Sequence, residues 1–220
     1  HGRQLTCPGA AAPAPRSGAA SERPARLLRY PSAFGAARDA LRSELLPIHP
    51  YLDRSPRLGA RVFLAPSAHL AGDVEVGDDS SFWFHTAARG DVHWIRVGPR
   101  TSVQDGTILH VTHERYPLSI GADVVIAHGC LIHGCTLEDG CLIGIGARVL
   151  DGALVESGAQ VGAGAVVTPG FRVPAGHLAL GVPAKVARPL SDRERATIRE
   201  IAARYVRVKN DYLESIGPGY

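Results

Sequence analysis

The sequence predicts an all-β solenoid built from six-residue repeats, with one amphipathic α-helix packed alongside. Three observations lead there. Apolar residues recur at every sixth position from Leu64 to Val173, with few breaks. The position four after each is mostly small or aliphatic, as at Ala68, Val74, Cys130, Cys141, Ala147, Ala153, Ala159 and Ala165. The repeat then stops just before a strong helix-start signal.

The apolar anchors run Leu64, Leu70, Val76, Phe82 and Ala88, then Val97, Val103 and Leu109, then Ile120, Ile126 and Ile132. After a five-residue step they resume at Leu137, Ile143, Val149, Val155, Val161, Val167 and Val173. A period of six matches neither a helix, at 3.6, nor a single alternating strand, at 2. It is the period of a β-helix in which short parallel strands are joined by tight turns. Three hexapeptides close one triangular coil, so these eighteen anchors make about six coils. Anchors point inward, and Gly and Asp/Asn take the turn positions that need unusual backbone angles. Such a solenoid resembles the left-handed hexapeptide-repeat proteins, and its hand is taken from that resemblance alone.

The repeat spans residues 61–190, and residues 191–216 are expected to form the helix. Ser191 and Glu194 have the spacing of a capping box. Ile198, Ile201, Ala202, Tyr205, Val208 and Tyr212 follow at three- and four-residue steps and form one apolar stripe, and Gly217 and Pro218 end it. Residues 1–60 are expected to be disordered or extended. Their first thirty residues are rich in Ala, Pro, Gly, Ser and Arg, with Glu22 as the one acid. A short helix is expected over 33–46, then an extended, Pro-punctuated approach to the repeat.

Composition narrows the function. A net charge of +3 in 220 residues is too small to argue for nucleic acid, and no apolar run reaches the length of a membrane span. Cys7, Cys130, Cys135 and Cys141 lack paired CxxC spacing, which points to a reducing, cytoplasmic setting. The Arg-rich N-terminal segment leaves organellar import as the alternative. Methionine is absent and the chain begins at His1, so its natural start is left open.

Chemistry is expected where the lattice is interrupted, because a solenoid takes up insertions as loops. The step from Ala88 to Val97 carries three extra residues within "RGDVHWI", and the step from Leu109 to Ile120 carries five within "HVTHERYPLS". His110 follows anchor Leu109 and His133 follows anchor Ile132, three anchor steps later. Three steps are one coil, so the two histidines belong in one column with backbones about 4.8 Å apart. Two outward imidazoles at that spacing can share an ion at Zn–N distances of about 2.0–2.1 Å. His128 lies two residues after anchor Ile126, on the preceding face. Across a convex corner it points away from the other two and toward a neighbouring chain. The lattice therefore suggests a metal shared between subunits around a threefold axis; the plain reading is that stacked histidines merely cover a face. Cys130 and Cys141 fall on the inward small-residue position and are read as packing residues. Cys135 falls at a turn and is read the same way in preference to a ligand.

The segments "RGD" at 89–91, "VQDGTILH" at 103–110 and "AHGCLIHGC" at 127–135 resemble the γ-class carbonic anhydrase family, and the likeness runs from about Val62 to the end of the helix. That resemblance implies a left-handed β-helix homotrimer hydrating CO2 reversibly to bicarbonate. It implies Zn2+, with Fe2+ or Co2+ able to use the same nitrogens, held by His110 and His133 of one subunit and His128 of the next. Gln104 matches a residue that orients the metal's water. Arg89 and Asp105 match a salt-bridged pair, with Asp91 in the same polar network. Tyr205 resembles a tyrosine that the family's helix points toward the site. Plainer roles stay open beside these: interface ion pairs for Arg89 and Asp91, a turn cap for Gln104, helix packing for Tyr205. Val92 and His93 stand where the founding members have a proton-transfer glutamate, and "VTHERYPL" replaces their long acidic loop. His113 or Glu114 is the candidate shuttle in its place. Arg207 stands where the family has asparagine. Two other readings fit the repeat: a CoA-dependent hexapeptide acyltransferase, which "GVPAKVAR" also suits, and a metal-binding homologue without catalysis.

Overall fold

All eighteen anchors are buried, none more than 4 % exposed, and their strands stack into the three faces of a prism. The structure is a computed structural model describing residues 47–217; the expectations for residues 1–30 and for a helix over 33–46 lie outside them.

The first face stacks β1 (Ile48–His49), β4 (His69–Val76), β6 (Ala87–Val97), β8 (Ile108–His110), β11 (Leu131–His133), β14 (Arg148–Val149) and β17 (Val166–Val167). The second stacks β2 (Arg57–Leu58), the far ends of β4 and β6, then β9 (Leu118–Ile120), β12 (Thr136–Leu137), β15 (Leu154–Val155) and β18 (Arg172–Val173). The third stacks β3 (Phe63–Leu64), β5 (Ser81–Phe82), β7 (Ser102–Val103), β10 (Val125–Ile126), β13 (Leu142–Ile143), β16 (Gln160–Val161), β19 (His177–Leu180) and β20 (Lys185–Pro189). Pairing is parallel throughout except for β19 with β20. The result is a left-handed β-helix of about seven turns.

The sequence supports six of those turns. The additional one comes from Ile48 and Leu58, which pair with Leu70 and Val76, and from Ala179, which pairs with Val161. The Pro-punctuated approach is therefore extended and also part of the solenoid.

The first interruption differs from its expectation. Residues 87–97 do not leave the sheet as a loop. They form one strand, β6, with a bulge: Gly90 pairs with Gly72 and Ile95 with Val74, so residues 91–94 swell outward against a shorter partner. Gly72, at φ 75°, makes this possible, because a Cβ there would meet the Gly90 carbonyl oxygen at 2.5 Å. The second interruption is a loop, closed by a bridge between Thr112 and Tyr116.

At the corner after the second face, Arg61, Asp79, Arg100 and Asp123 occupy equivalent positions with φ of 55°, 59°, 57° and 56°. Arginine is unexpected in left-handed backbone. Here each arginine is paired to the aspartate one coil on, Arg61 with Asp79 and Arg100 with Asp123.

Helix α1 (Asp192–Ile216) begins at the Ser191–Glu194 capping box. It lies on the third face against β3, β5, β7 and β10. Tyr212 meets the rings of Phe63 and Trp83 at centroid distances of 5.4 and 5.1 Å. Ile198 and Ala202 of the expected stripe are buried, and so, unexpectedly, is Lys209. Its ammonium donates to Asp79 Oδ1 at 3.0 Å and Asn210 Oδ1 at 2.6 Å. No helix among the described residues is long and apolar enough to cross a membrane.

Candidate metal centre

Strand alternation sets the site. Leu109 and Ile132 point inward, so their neighbours on both sides point out. His133 is the register partner of His110, and Leu131 that of Ile108. The first face thus carries a histidine column beside an apolar one, in which Ile108 is 46 % and Leu131 38 % exposed.

His110 Nδ1 lies 3.0 Å from His133 Nε2. The pair is held between two carboxylates: His110 Nε2 is 3.2 Å from Asp91 Oδ1, and His133 Nδ1 is 2.6 Å from Asp151 Oδ1. Three contacts need three hydrogens, and two neutral imidazoles supply two. The cluster is complete only with one further positive charge. Burial pushes the His110 pKa below that of an ordinary imidazole; Arg89 and His133 act the same way, and Asp91 opposes them. Its neutral, ligating form is favoured. Burial alone would raise the Asp91 pKa, but hydrogen bonds from Arg89 and His110 prevail and hold it below the usual carboxylate range.

Asp151 is the member that the sequence reading missed. It lies eighteen residues after His133, where the shortened coil is seventeen, so it stands one residue past the position opposite His133. Searching for acids at or beside the position one coil from each histidine finds it. Its Oδ2 accepts from Thr112 Oγ1 at 2.8 Å, which ties the second insertion to the histidine pair.

His128 stands at the corner between the third and first faces, with Nδ1 2.9 Å from Asp105 Oδ2. That contact leaves the opposite nitrogen, Nε2, for another partner. Gln104, only 3 % exposed, precedes Asp105. Tyr205 packs edge-on against Trp83, centroids 5.7 Å apart, from the helix side. Burial raises its phenol pKa, Arg204 counters, and the Asp105 carboxylate adds to the rise.

The candidate residues therefore form two groups. Arg89, Asp91, His110, His133 and Asp151 lie on the first face; Gln104, Asp105 and His128 gather at the corner, with Tyr205 on the helix near it. Among the described residues no three His, Cys, Asp or Glu side chains of one chain are placed to hold an ion. The Arg89–Asp105 pair implied by resemblance does not form within the chain. Arg89 binds Asp91, its neighbour two residues on in the same strand, while Asp105 is taken by His128.

The cysteines belong to neither group. All three described are buried. Burial pushes the thiol pKa of Cys130 up to about 11 and of Cys141 up to about 12, and raises that of Cys135 further. Cys135, at its turn, points inward as packing. The shuttle candidates His113 and Glu114 sit at the tip of the second insertion, with side chains 68 % and 83 % exposed. His93 lines a shallow cleft of about 380 Å³ with Arg54, Asp73, Val92, Trp94 and Glu114.

A left-handed hexapeptide β-helix with a paired-histidine column and a helix along its third face defines a class, and the comparisons place the chain within it. No protein-family model matches the chain. It is 46 % identical over 173 residues to Protein YrdA of Escherichia coli, covering 76 % of this chain and 94 % of that one. It is 48 % identical over 158 residues to a probable carbonic anhydrase of Methanocaldococcus jannaschii, covering 72 % and 98 %. Among solved structures, a putative acetyltransferase of Bacillus cereus superposes with a TM-score of 0.74 at 39 % identity, covering 75 % of this chain and 95 % of that one. The chain belongs to the γ-class carbonic anhydrase family.

Proposed function

We propose that the protein is a zinc-dependent γ-type carbonic anhydrase that works as a homotrimer and interconverts CO2 and bicarbonate. The observation that carries this reading is the register of His110 with His133, each backed by a carboxylate. The donor set fits the ion. Two nitrogens of a tetrahedral zinc site stand about 3.3 Å apart, so the pair, at 3.0 Å, need open by only a few tenths of an ångström. Fe2+ or Co2+ would use the same nitrogens. A bound zinc supplies a Lewis acid that brings the pKa of water to about 7.

The residues divide the remaining work. Asp151 takes the Nδ1 hydrogen of His133 and so fixes Nε2 as the ligating nitrogen. Asp105 does the same for His128, whose Nε2 then reaches the pair of a neighbouring subunit. Exposed Ile108, Leu131 and, at the His128 corner, Ile145 give that neighbour an apolar surface to cover. In the trimer Arg89 comes within reach of the neighbour's carboxylates at that corner. Gln104 orients the reacting water through its amide, and Tyr205 borders the same corner.

Two measurements test the reading. Purified protein should carry about one transition metal per chain; less than about one per two chains, with stripping controlled, removes the site. Stopped-flow CO2 hydration by the metal-loaded trimer should exceed the buffer rate; a loaded trimer without activity is the non-catalytic homologue. The likeness to the putative acetyltransferase of Bacillus cereus supports the acyltransferase alternative, and acetyl-CoA turnover would establish it.

A second expectation isolates Asp151. Asp151→Asn should weaken zinc affinity about 10–100-fold, because the His133 tautomer is no longer fixed. Competition against a chelator measures it, and an unchanged affinity in a folded variant removes Asp151 from the site.

A further inference from the structure

The first face carries a second histidine pair that neither the sequence reading nor the family assignment uses. His49 lies on β1 and His69 on β4, two coils from His110. Nε2 of His49 stands 2.9 Å from Nδ1 of His69, with ring centroids 5.2 Å apart. In the His110–His133 pair the corresponding distances are 3.0 and 5.0 Å. The two pairs reach that spacing by different routes. His110 and His133 are direct register partners. His49 is opposite Ala71, and His69 stands two residues earlier, so the second pair is diagonal.

We propose that His49 and His69 form a second, weaker site for a divalent transition ion of the zinc type, with one imidazole nitrogen from each ring and water in the remaining positions. Imidazole suits zinc, copper and nickel and does not suit magnesium or calcium. Opening the rings from 2.9 Å to the roughly 3.3 Å of a tetrahedral site takes a few tenths of an ångström. His69 is exposed and His49 half-buried, so the ion keeps part of its hydration shell on entry. Neither ring has a carboxylate hydrogen-bond partner among the described residues, in contrast to His110 and His133. Without such partners the tautomers are not fixed and no negative charge offsets the ion, which makes this site the weaker of the two. The ion would clip β1, the first strand of the described solenoid, to β4. Binding would then stabilise the terminal turn by linkage.

The proposal is independent of the zinc reading of His110 and His133. The test is a Zn2+ titration of the full chain by calorimetry, repeated on His49→Gln and His69→Gln, with circular dichroism confirming the fold of each. Wild type should take up a tight and a weak equivalent, and each variant should lose only the weak one. The same comparison in a His110→Ala background, where the tight equivalent is removed, should again show a weak equivalent that His69→Gln abolishes. On adding Zn2+, the ring 15N resonances of His49 and His69 should shift together in the weak phase. An unchanged weak phase in either variant, or resonances of these two rings that do not move, overturns the site.

Discussion

His128→Ala is expected to strip zinc from the protein as completely as His110→Ala, although within one chain His128 is bound to Asp105 and has no contact with the histidine pair. Two imidazoles alone leave a zinc site one protein ligand short of the three that catalytic zinc requires. If the third comes from a neighbouring copy, the two variants carry complementary defects. An interface is whole when a His128→Ala chain offers His110 and His133, and the next chain, carrying His110→Ala, offers His128. In a random equal mixture each condition holds half the time, so about one quarter of the sites should regain metal. Metal analysis after unfolding, mixing and refolding reads this directly. Recovery of hydration activity should follow the metal. No recovery, with trimers formed, means that the three histidines do not meet across an interface.

Much of this arrangement is legible in the sequence, because a six-residue period leaves few ways to fold. Placing Leu109 and Ile132 inward forces His110 and His133 outward and into register, and both follow from counting. What counting misses is physical in each case. Ile48 and Leu58 are ten residues apart in a Pro-rich stretch, so the first turn breaks the period that reveals the others. Ala179 keeps the six-residue step from Val173, but no anchor follows it, because the strand turns back there into antiparallel pairing with β20. Three extra residues before Val97 do not say whether the chain leaves the sheet; the back-to-back Gly72 and Gly90 decide for a bulge. Asp151 is separated from its histidine by a full coil, and single-residue patterns do not link them. Lys209 looks like a solvated helix residue, since nothing local shows that Asp79 waits 130 positions away.

That last contact should carry a large share of the helix's attachment. Asp79→Asn is expected to destabilise the protein by about 2–3 kcal/mol at neutral pH. Asparagine keeps the shape and tolerates the φ of 59°, so the variant removes charge without adding backbone strain. It leaves the Lys209 ammonium, which is fully buried, without its counter-charge. The hydrogen bond from Arg61, against an opposing cost of burial and with further help from Lys209, holds the Asp79 carboxyl down at about 2. A carboxylate depressed from its ordinary value of about 3.9 contributes about 2–3 kcal/mol that is fully present above pH 4. The contribution is lost as pH falls toward 2, where the wild type itself becomes neutral at this position. Denaturant midpoints of wild type and Asp79→Asn should therefore lie well apart at pH 7 and converge between pH 4 and 2. A gap that persists unchanged at pH 2.5 would show that the substitution acts through packing and not through the charge on Asp79.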